Sequence, residues 1–444
     1  MDFRLSTTSV QRSLRYRLVI GLAIALFAAG CVADDPVVTD ADGAAEATDV
    51  SQAEQSEDAP VEETATEPES TDDAEADDEA ADEPAEVPAD ELSDAAVQNG
   101  PEVEAAGYDF SAVHPVMQTA IEAAGLTGAG IIIVHEEDGV VYHDHWGSFG
   151  PDHISLVASA SKMISAGVLL NLADQGLLDM NGSVAEITGW TGHNDQVTPA
   201  QLVSNSSGLV GLQPGYPPYL CQFSAGASLT TCGETIFTSD LDDEEVITPD
   251  TEFRYGGGQW QVAGAVAEVV SGKSWEQLID EVYVQPCGLE SLGFNNHWAE
   301  YGAAYPTGLD PRELSATENP QIEGGGYLTT GDYGKLLLML LQDGRCGDTQ
   351  VLSPDAVSLM TTDRVGPLYG EAASEEFGYG MGWWVDYDSG RITDDGLYGA
   401  VPWLDLEDGY GGYLAVESEG WERPGSDKET IYELVDQIMA AAAG

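Results

Sequence analysis

Residues 32 to about 107 contain 27 Asp or Glu, no Lys or Arg and no aromatic side chain. Such a stretch cannot bury enough apolar surface to offset the entropy of ordering it, so it is expected to be disordered. Self-repulsion extends it beyond a neutral coil. A fold must therefore be built from Tyr108 onward, about 335 residues, enough for one large domain or two interleaved ones. The expected organisation is a leader over 1–31, an acidic tether over 32–107 and a folded domain over 108–444.

The leader reads as an export signal. Arg4, Arg12, Arg15 and Arg17 make a positive n-region, and Leu18 to Ala29 is an apolar run too short for a stable membrane span. It ends in Ala28-Ala29-Gly30-Cys31, which resembles a lipobox. That resemblance implies cleavage before Cys31, lipidation of its sulfur, and a mature protein held at the cell envelope by acyl chains alone.

The whole chain has a formal charge of −65, and from Tyr108 onward 51 acidic side chains face ten Lys or Arg, leaving the domain itself near −41. This argues against nucleic acid or anionic membrane patches as partners and suits a salt-adapted surface. Four cysteines follow Cys31: Cys221, Cys232, Cys287 and Cys346. An even number in an exported chain suggests two disulfides with three possible connectivities. Cys221–Cys232, which would staple one loop rich in Gly, Pro and Ser, together with Cys287–Cys346 is the favoured set. No Cys/His spacing suggests zinc. His143 and His145 share one strand face, read here as a solvated hairpin, so no metal is expected.

The chemistry centres on Ser159-Ala160-Ser161-Lys162, where an apolar helix begins that runs towards Gly176. A serine and a lysine three apart at a helix start lie on one face. Burial disfavours the charged form of a lysine, and the neutral amine can take the hydroxyl proton and leave an activated oxygen nucleophile. The positive end of the helix favours the developing negative charge. Ser-x-x-Lys recurs roughly once or twice by chance in a chain of average composition. Here, however, the chain has four lysines, and between Arg17 and Arg254 the only Lys or Arg is Lys162.

Around this motif, Gly130–His135 reads as a buried strand hairpinned to Val140–Tyr142. Pro199–Val203 starts a short helix, and 210–250 reads as an irregular loop over a cleft. An extended run over Thr251–Trp260 leads to a helix over Val262–Val270. Gly324–Gly326 precedes a helix over Asp332–Leu341. Neither glycine run is followed by Gly-Lys-Ser/Thr, so no phosphate loop and no cofactor are expected. Strands at Gly382–Asp386, Ala400–Leu404 and Gly411–Val416 and a final helix over 427–443 complete the chain. The expected fold class is α/β: an antiparallel sheet built from both termini, with flanking helices and a mainly helical inserted subdomain.

The order of five segments resembles the serine β-lactamase and penicillin-binding-protein superfamily, over about residues 110–440. They are Ala158–Lys162, Ser207-Gly208-Leu209, Phe253–Gly257, Gly324–Tyr327 before Thr330-Gly331-Asp332-Tyr333, and Phe377–Trp383. The nearest branch is that of class C β-lactamases with related esterases and D-amino-acid peptidases. The resemblance implies that Ser159 is acylated, that Lys162 accepts its proton, and that Tyr255 shares the general-base role through a phenolate-like oxygen. Gly257 stands where the family has Asn or Ser. The third motif, Lys-Thr-Gly or His-x-Gly in the family, falls on Asp394-Asp395-Gly396-Leu397-Tyr398-Gly399, without the lysine or histidine. Backbone N–H groups of Ser159 and Leu397, beside Gly396, would form the oxyanion hole. A substrate carboxylate would meet Asp394 where the family offers a cation, and like charges at short range cost several kcal/mol, so neutral or cationic esters and amides are expected substrates. The alternatives are D,D-peptidase or β-lactamase activity, or a non-catalytic descendant that binds a wall peptide or protein partner.

Overall fold

The computed structural model describes residues 102–192, 195–211, 217–239, 246–302, 308–369, 376–418 and 428–443. The leader, Cys31 and the acidic segment up to residue 101 lie outside them. Strands β1 (Val103–Glu104), β2 (Gly128–His135) and β3 (Gly139–Gly147) come first. Next, β4 (Ile154–Leu156), β5 (Gly293–Phe294) and β6 (Gly326–Thr329) form a three-stranded sheet, and β7 (Arg345–Cys346) with β8 (Thr349–Gln350) a hairpin. Strands β9 (Phe377–Tyr379), β10 (Trp384–Asp386), β11 (Ile392–Thr393), β12 (Val401–Asp405) and β13 (Tyr410–Val416) follow.

The main sheet runs β1-β3-β2-β13-β12-β11-β10-β9, antiparallel throughout, with β13 beside β2. The sheet from both chain ends is therefore present. Every residue of β13 and all but the last of β2 are buried, because helices cover both faces. Two-sided cover is why these strands are almost continuously apolar instead of alternating. One face packs Ile131, Ile133 and Leu414 against α1 (Val113–Ala124) and against Ile431 and Val435 of the C-terminal helix, Lys428–Ala442. The other packs Ile132, Val134 and Tyr413 against the helical insert.

That insert is centred on α2 (Lys162–Asp174), whose first nine residues are all buried. A helix apolar all round belongs in the middle of a fold. Around it lie α3 (Leu229–Thr238), α4 (Gly257–Ser271) and α5 (Thr330–Leu341). Tyr333 of α5 stacks on Tyr413 of the sheet at 4.1 Å between ring centroids and donates its hydroxyl to the Ala160 carbonyl at 2.8 Å. The helix thus ties the main sheet to the Ser159 turn. Cys221 pairs with Cys232 and Cys287 with Cys346, as favoured from the sequence. No helix among the described residues is long and apolar enough to cross a membrane.

Four expectations need correction. Ordered structure starts before Tyr108, because Val103 and Glu104 pair with His143 and Tyr142 of β3. The supposed loop 210–250 contains a 3₁₀ turn over Pro217–Phe223 and α3, which Ser228 caps by accepting from Thr231 N–H. The run before Gly257 is no strand: the Arg254 amide donates to the Asn205 backbone carbonyl at 2.8 Å and the Gln259 side chain to the Arg254 carbonyl at 2.6 Å, so one loop contact and one side chain hold what no ladder does. His143 and His145 are buried, at 7% and 3% exposure, and burial pushes both rings down to about 4, so they are not part of a solvated hairpin.

Candidate active site

Ala158 to Ser161 form a 3₁₀ turn that runs directly into α2. Ala158 has φ of +45°, a region that non-glycine residues seldom occupy and that is found where surrounding structure enforces it. This turn leaves Ser159 partly exposed while Lys162, one turn on, is 0% exposed. The Lys162 amine donates to Ser159 Oγ at 3.1 Å and to the Glu323 carbonyl at 3.1 Å. Its Nζ lies 4.6 Å from the centre of the Tyr255 ring. An amine aimed into solvent would have ended the case for a catalytic pair. Here it is sealed against its serine.

Tyr255 lies beside Ser159, and its ring covers the Lys162 amine. Its ring stacks on Trp384 of β10 at 5.8 Å. The loop beneath is held by Asn205 and Gln259, and Ser207 donates to Gln259 at 2.7 Å. Ser207-Gly208-Leu209 therefore braces the Tyr255 loop through Gln259. Burial pushes the Tyr255 phenol well above its ordinary value, and Asp394 adds to the effect. That shift opposes the phenolate-like form expected of this oxygen.

Next to Gly257 lies a feature that sequence reasoning missed, Glu323. A Cβ added there would lie 2.0 Å from Glu323 Oε1 and 2.4 Å from Gln222 Oε1. Glu323 thus fills the volume of the side chain that Gly257 lacks, and its Oε2 is 3.7 Å from Lys162 Nζ. Its backbone is clamped to the start of α2: Ser161 accepts from Gly326 N–H at 2.9 Å, and Ser165 donates to the Ile322 carbonyl at 2.7 Å. Burial pushes the Glu323 carboxyl up, against the opposing pull of Lys162. The signal in the sequence was an acid one residue before Gly324-Gly325-Gly326, hidden in a chain with 79 acids.

The third-motif stretch also reaches the site. Gly396 lies so close to the nucleophile turn that a Cβ there would be 2.1 Å from the Val157 carbonyl, and Leu397 packs with Ala158. Asp394 does not face an incoming substrate as expected. It is 0% exposed, neither carboxyl oxygen has a hydrogen-bond partner among the described residues, and burial pushes its carboxyl well up despite Lys162. Two cations come close in sequence or space, but Lys428 binds Asp395 at 2.6 Å and Arg391 binds Asp436 at 2.7 Å. Ser159 and Tyr255 thus make a partly exposed floor, with Lys162, Glu323 and Asp394 buried behind it.

A family model described as Beta-lactamase matches residues 113–437. The chain belongs to the Beta-lactamase family. It is similar to penicillin-binding protein 4 of Amycolatopsis lactamdurans, 25% identical over 69% of this chain and 82% of the relative. A lovastatin esterase of Penicillium rubens is 25% identical over 56% of this chain and 72% of its own length. Among solved structures, a putative β-lactamase from Bacteroides dorei superposes with a TM-score of 0.59 at 26% identity, covering 75% of this chain and 99% of the other. The β-lactamase and transpeptidase-like fold read from the sequence is thereby established, and with it membership of a group of serine hydrolases. One relative is named for binding penicillin and another as an esterase, so the family alone does not choose a substrate.

Proposed function

We propose that this protein hydrolyses an ester or amide through an acyl-enzyme on Ser159. The observation that carries this reading is the 3.1 Å contact from the fully buried Lys162 amine to the partly exposed Ser159 hydroxyl. Ser159 Oγ attacks the substrate carbonyl carbon while its proton passes to Lys162 Nζ. The carbonyl oxygen, now negative, is met by the backbone N–H groups of Ser159 and Leu397 at the positive start of α2. The Tyr255 phenol, kept protonated by burial, hands its proton to the leaving group as the bond from carbonyl carbon breaks, and recovers one from Lys162. Water then attacks the acyl carbon with the same groups in reverse order.

Uncharged acyl groups suit this site best. The two buried carboxyls are held towards their neutral acid forms, and the nearby Lys428 and Arg391 are committed to Asp395 and Asp436. A substrate carboxylate would find no free cation in the third-motif stretch, which supports esterase or amidase activity over the cleavage of anionic β-lactams or D-alanyl peptides. A fluorophosphonate probe should label Ser159 of the wild type and spare Ser159→Ala. A panel of p-nitrophenyl esters, D-amino-acid amides and nitrocefin then fixes the substrate class. Absence of labelling at every salt concentration removes the enzymatic reading and leaves the binding-protein alternative.

We also propose that Cys31 carries the lipid that holds the protein at the cell envelope, on the strength of the arginines, the apolar run and Ala-Ala-Gly-Cys. Labelled palmitate incorporated by the wild type and lost in Cys31→Ser tests it.

A further inference from the structure

Away from Ser159, three side chains meet where the chain enters the main sheet. His143 and His145 alternate with Asp144 on β3, so both rings lie on the same face. Glu102, just before β1, hangs over them. Its Oε2 is 3.0 Å from His143 Nδ1 and 3.8 Å from His145 Nδ1, and one ligand atom from each of the three lies within 4.8 Å of the other two. The rings are 4.5 Å apart, edge to face.

Hydrogen bonding among these groups leaves much unsatisfied. At 3.8 Å the His145 contact is beyond hydrogen-bond reach. Among the described residues the buried Nε2 atoms of both rings have no partner, and the nitrogens that face Glu102 are the Nδ1 atoms. The Glu102 carboxylate faces two buried imidazoles and is within hydrogen-bond distance of only one of them. Asp144 does not make up for this, because its carboxylate binds Tyr142 at 2.8 Å and His114 at 2.6 Å. A divalent cation between Glu102 and the two Nδ1 atoms would engage all three groups at once, which no single proton can do. Tetrahedral zinc with nitrogen and oxygen ligands at about 2.0–2.1 Å needs donors about 3.4 Å apart, and the observed 3.0 and 3.8 Å straddle that value. Glu102 is 46% exposed, which leaves a fourth position on the solvent side for water.

We propose that Glu102, His143 and His145 bind a divalent transition cation of the Zn²⁺ class, which staples the first strand of the fold to β3. Imidazole nitrogen donors select such ions over Mg²⁺ and Ca²⁺, which prefer all-oxygen sites. The ion would pin the short β1 at the edge of the main sheet, where two pairs with β3 otherwise hold it.

The test is a Zn²⁺ titration of the full chain in excess Mg²⁺, which occupies oxygen-only sites on so acidic a protein. The wild type should bind one Zn²⁺ that Mg²⁺ does not displace, and Co²⁺ should give the visible absorption of a four-coordinate site. His145→Gln and Glu102→Gln should each weaken binding by about tenfold or more, and the Zn²⁺-induced rise in melting temperature should vanish with them. Glu102 is exposed, so its variant keeps the fold if the histidine variant does not. Fluorophosphonate labelling of Ser159 serves as the folding control and does not depend on the metal. Equal Zn²⁺ binding by wild type and Glu102→Gln, or no Mg²⁺-resistant binding by the wild type, overturns the proposal.

Discussion

The carboxyl of Glu323 lies where a side chain at Gly257 would have to be, its Oε1 2.0 Å from the Cβ position. The two residues are 66 positions apart in sequence and form one unit in space. Gly257→Asn, which restores the residue usual in the family, should therefore do harm on its own. Overpacking of this kind costs about 1–3 kcal/mol. Displacing Glu323 from Lys162 should slow fluorophosphonate labelling by about tenfold, equivalent to ~1.4 kcal/mol of barrier. The double variant Gly257→Asn/Glu323→Gly removes the nearer clash, leaves the Gln222 side-chain end at 2.4 Å to shift aside, and should recover part of that rate. A double variant no faster than the single one shows that the residues are not interchangeable.

Lys162 has no exposure and touches Ser159 directly, so its removal should act on the chemical step and not on binding. Lys162→Ala is expected to lower the acylation rate by about 10²–10⁴, the usual contribution of a positioned proton acceptor, with little change in KM. Lys162→Arg should fail equally, because a guanidinium does not give up its proton in this range. Single-turnover measurements with a p-nitrophenyl ester separate the two parameters. A rise in KM at unchanged acylation rate would show instead that the amine only binds substrate.

Much of this was readable from residue pattern. Apolar runs bounded by glycines located β2, β13 and α5, because two-sided burial leaves a continuous hydrophobic signature. Ser159 and Lys162 stood out because cations are so scarce that one at a helix start is conspicuous. Glu323 was invisible for the opposite reason: acids crowd the chain, and only the packing against Gly257 singles one out. The solvated reading of His143 and His145 failed because strand alternation gives a face but not what covers it. Here Glu102 and α5 do, with Gly331 near the His143 ring. Short strands such as β9 and β11 carry too few residues to show a period, so that edge of the sheet emerged only in three dimensions.

Asp394 allows a signed pH prediction. Its folded-state carboxyl is pushed well above the ordinary 3.8 by burial, so above that pH the native state holds a proton that the unfolded state has released. Stability therefore falls as pH rises from about 4 towards the folded-state value, by up to ~1.4 kcal/mol per pH unit from this group. Asp394→Asn removes that slope. The variant should melt close to the wild type near pH 4 and increasingly above it towards pH 8. A residual slope should persist, because Glu323 is also pushed up. If the variant instead melts lower at pH 8 than the wild type, the carboxylate is a stabilising partner of Lys162 and the sign is wrong.

Salt should raise the melting temperature, and the reason lies in a count of charges. From Tyr108 onward the chain has 51 acids against ten bases, and basic side chains such as Lys273, Arg312, Lys335 and Arg364 already bind carboxylates. Salt weakens those pairs, each worth about 0–1 kcal/mol at the surface. It also screens the repulsion among the unpaired acids, which greatly outnumber them. The Debye length falls from about 30 Å at 0.01 M to about 3 Å at 1 M, so at high salt even neighbouring carboxylates cease to feel one another. Repulsion between excess charges should outweigh the lost pairs, giving a rise in melting temperature that saturates once the screening length drops below the spacing of the acids. Chloride salts of sodium and potassium should act alike, since the effect is one of ionic strength. Scanning calorimetry across that range decides it: a flat or falling melting temperature means that the surface charges are spaced widely enough to be indifferent to screening.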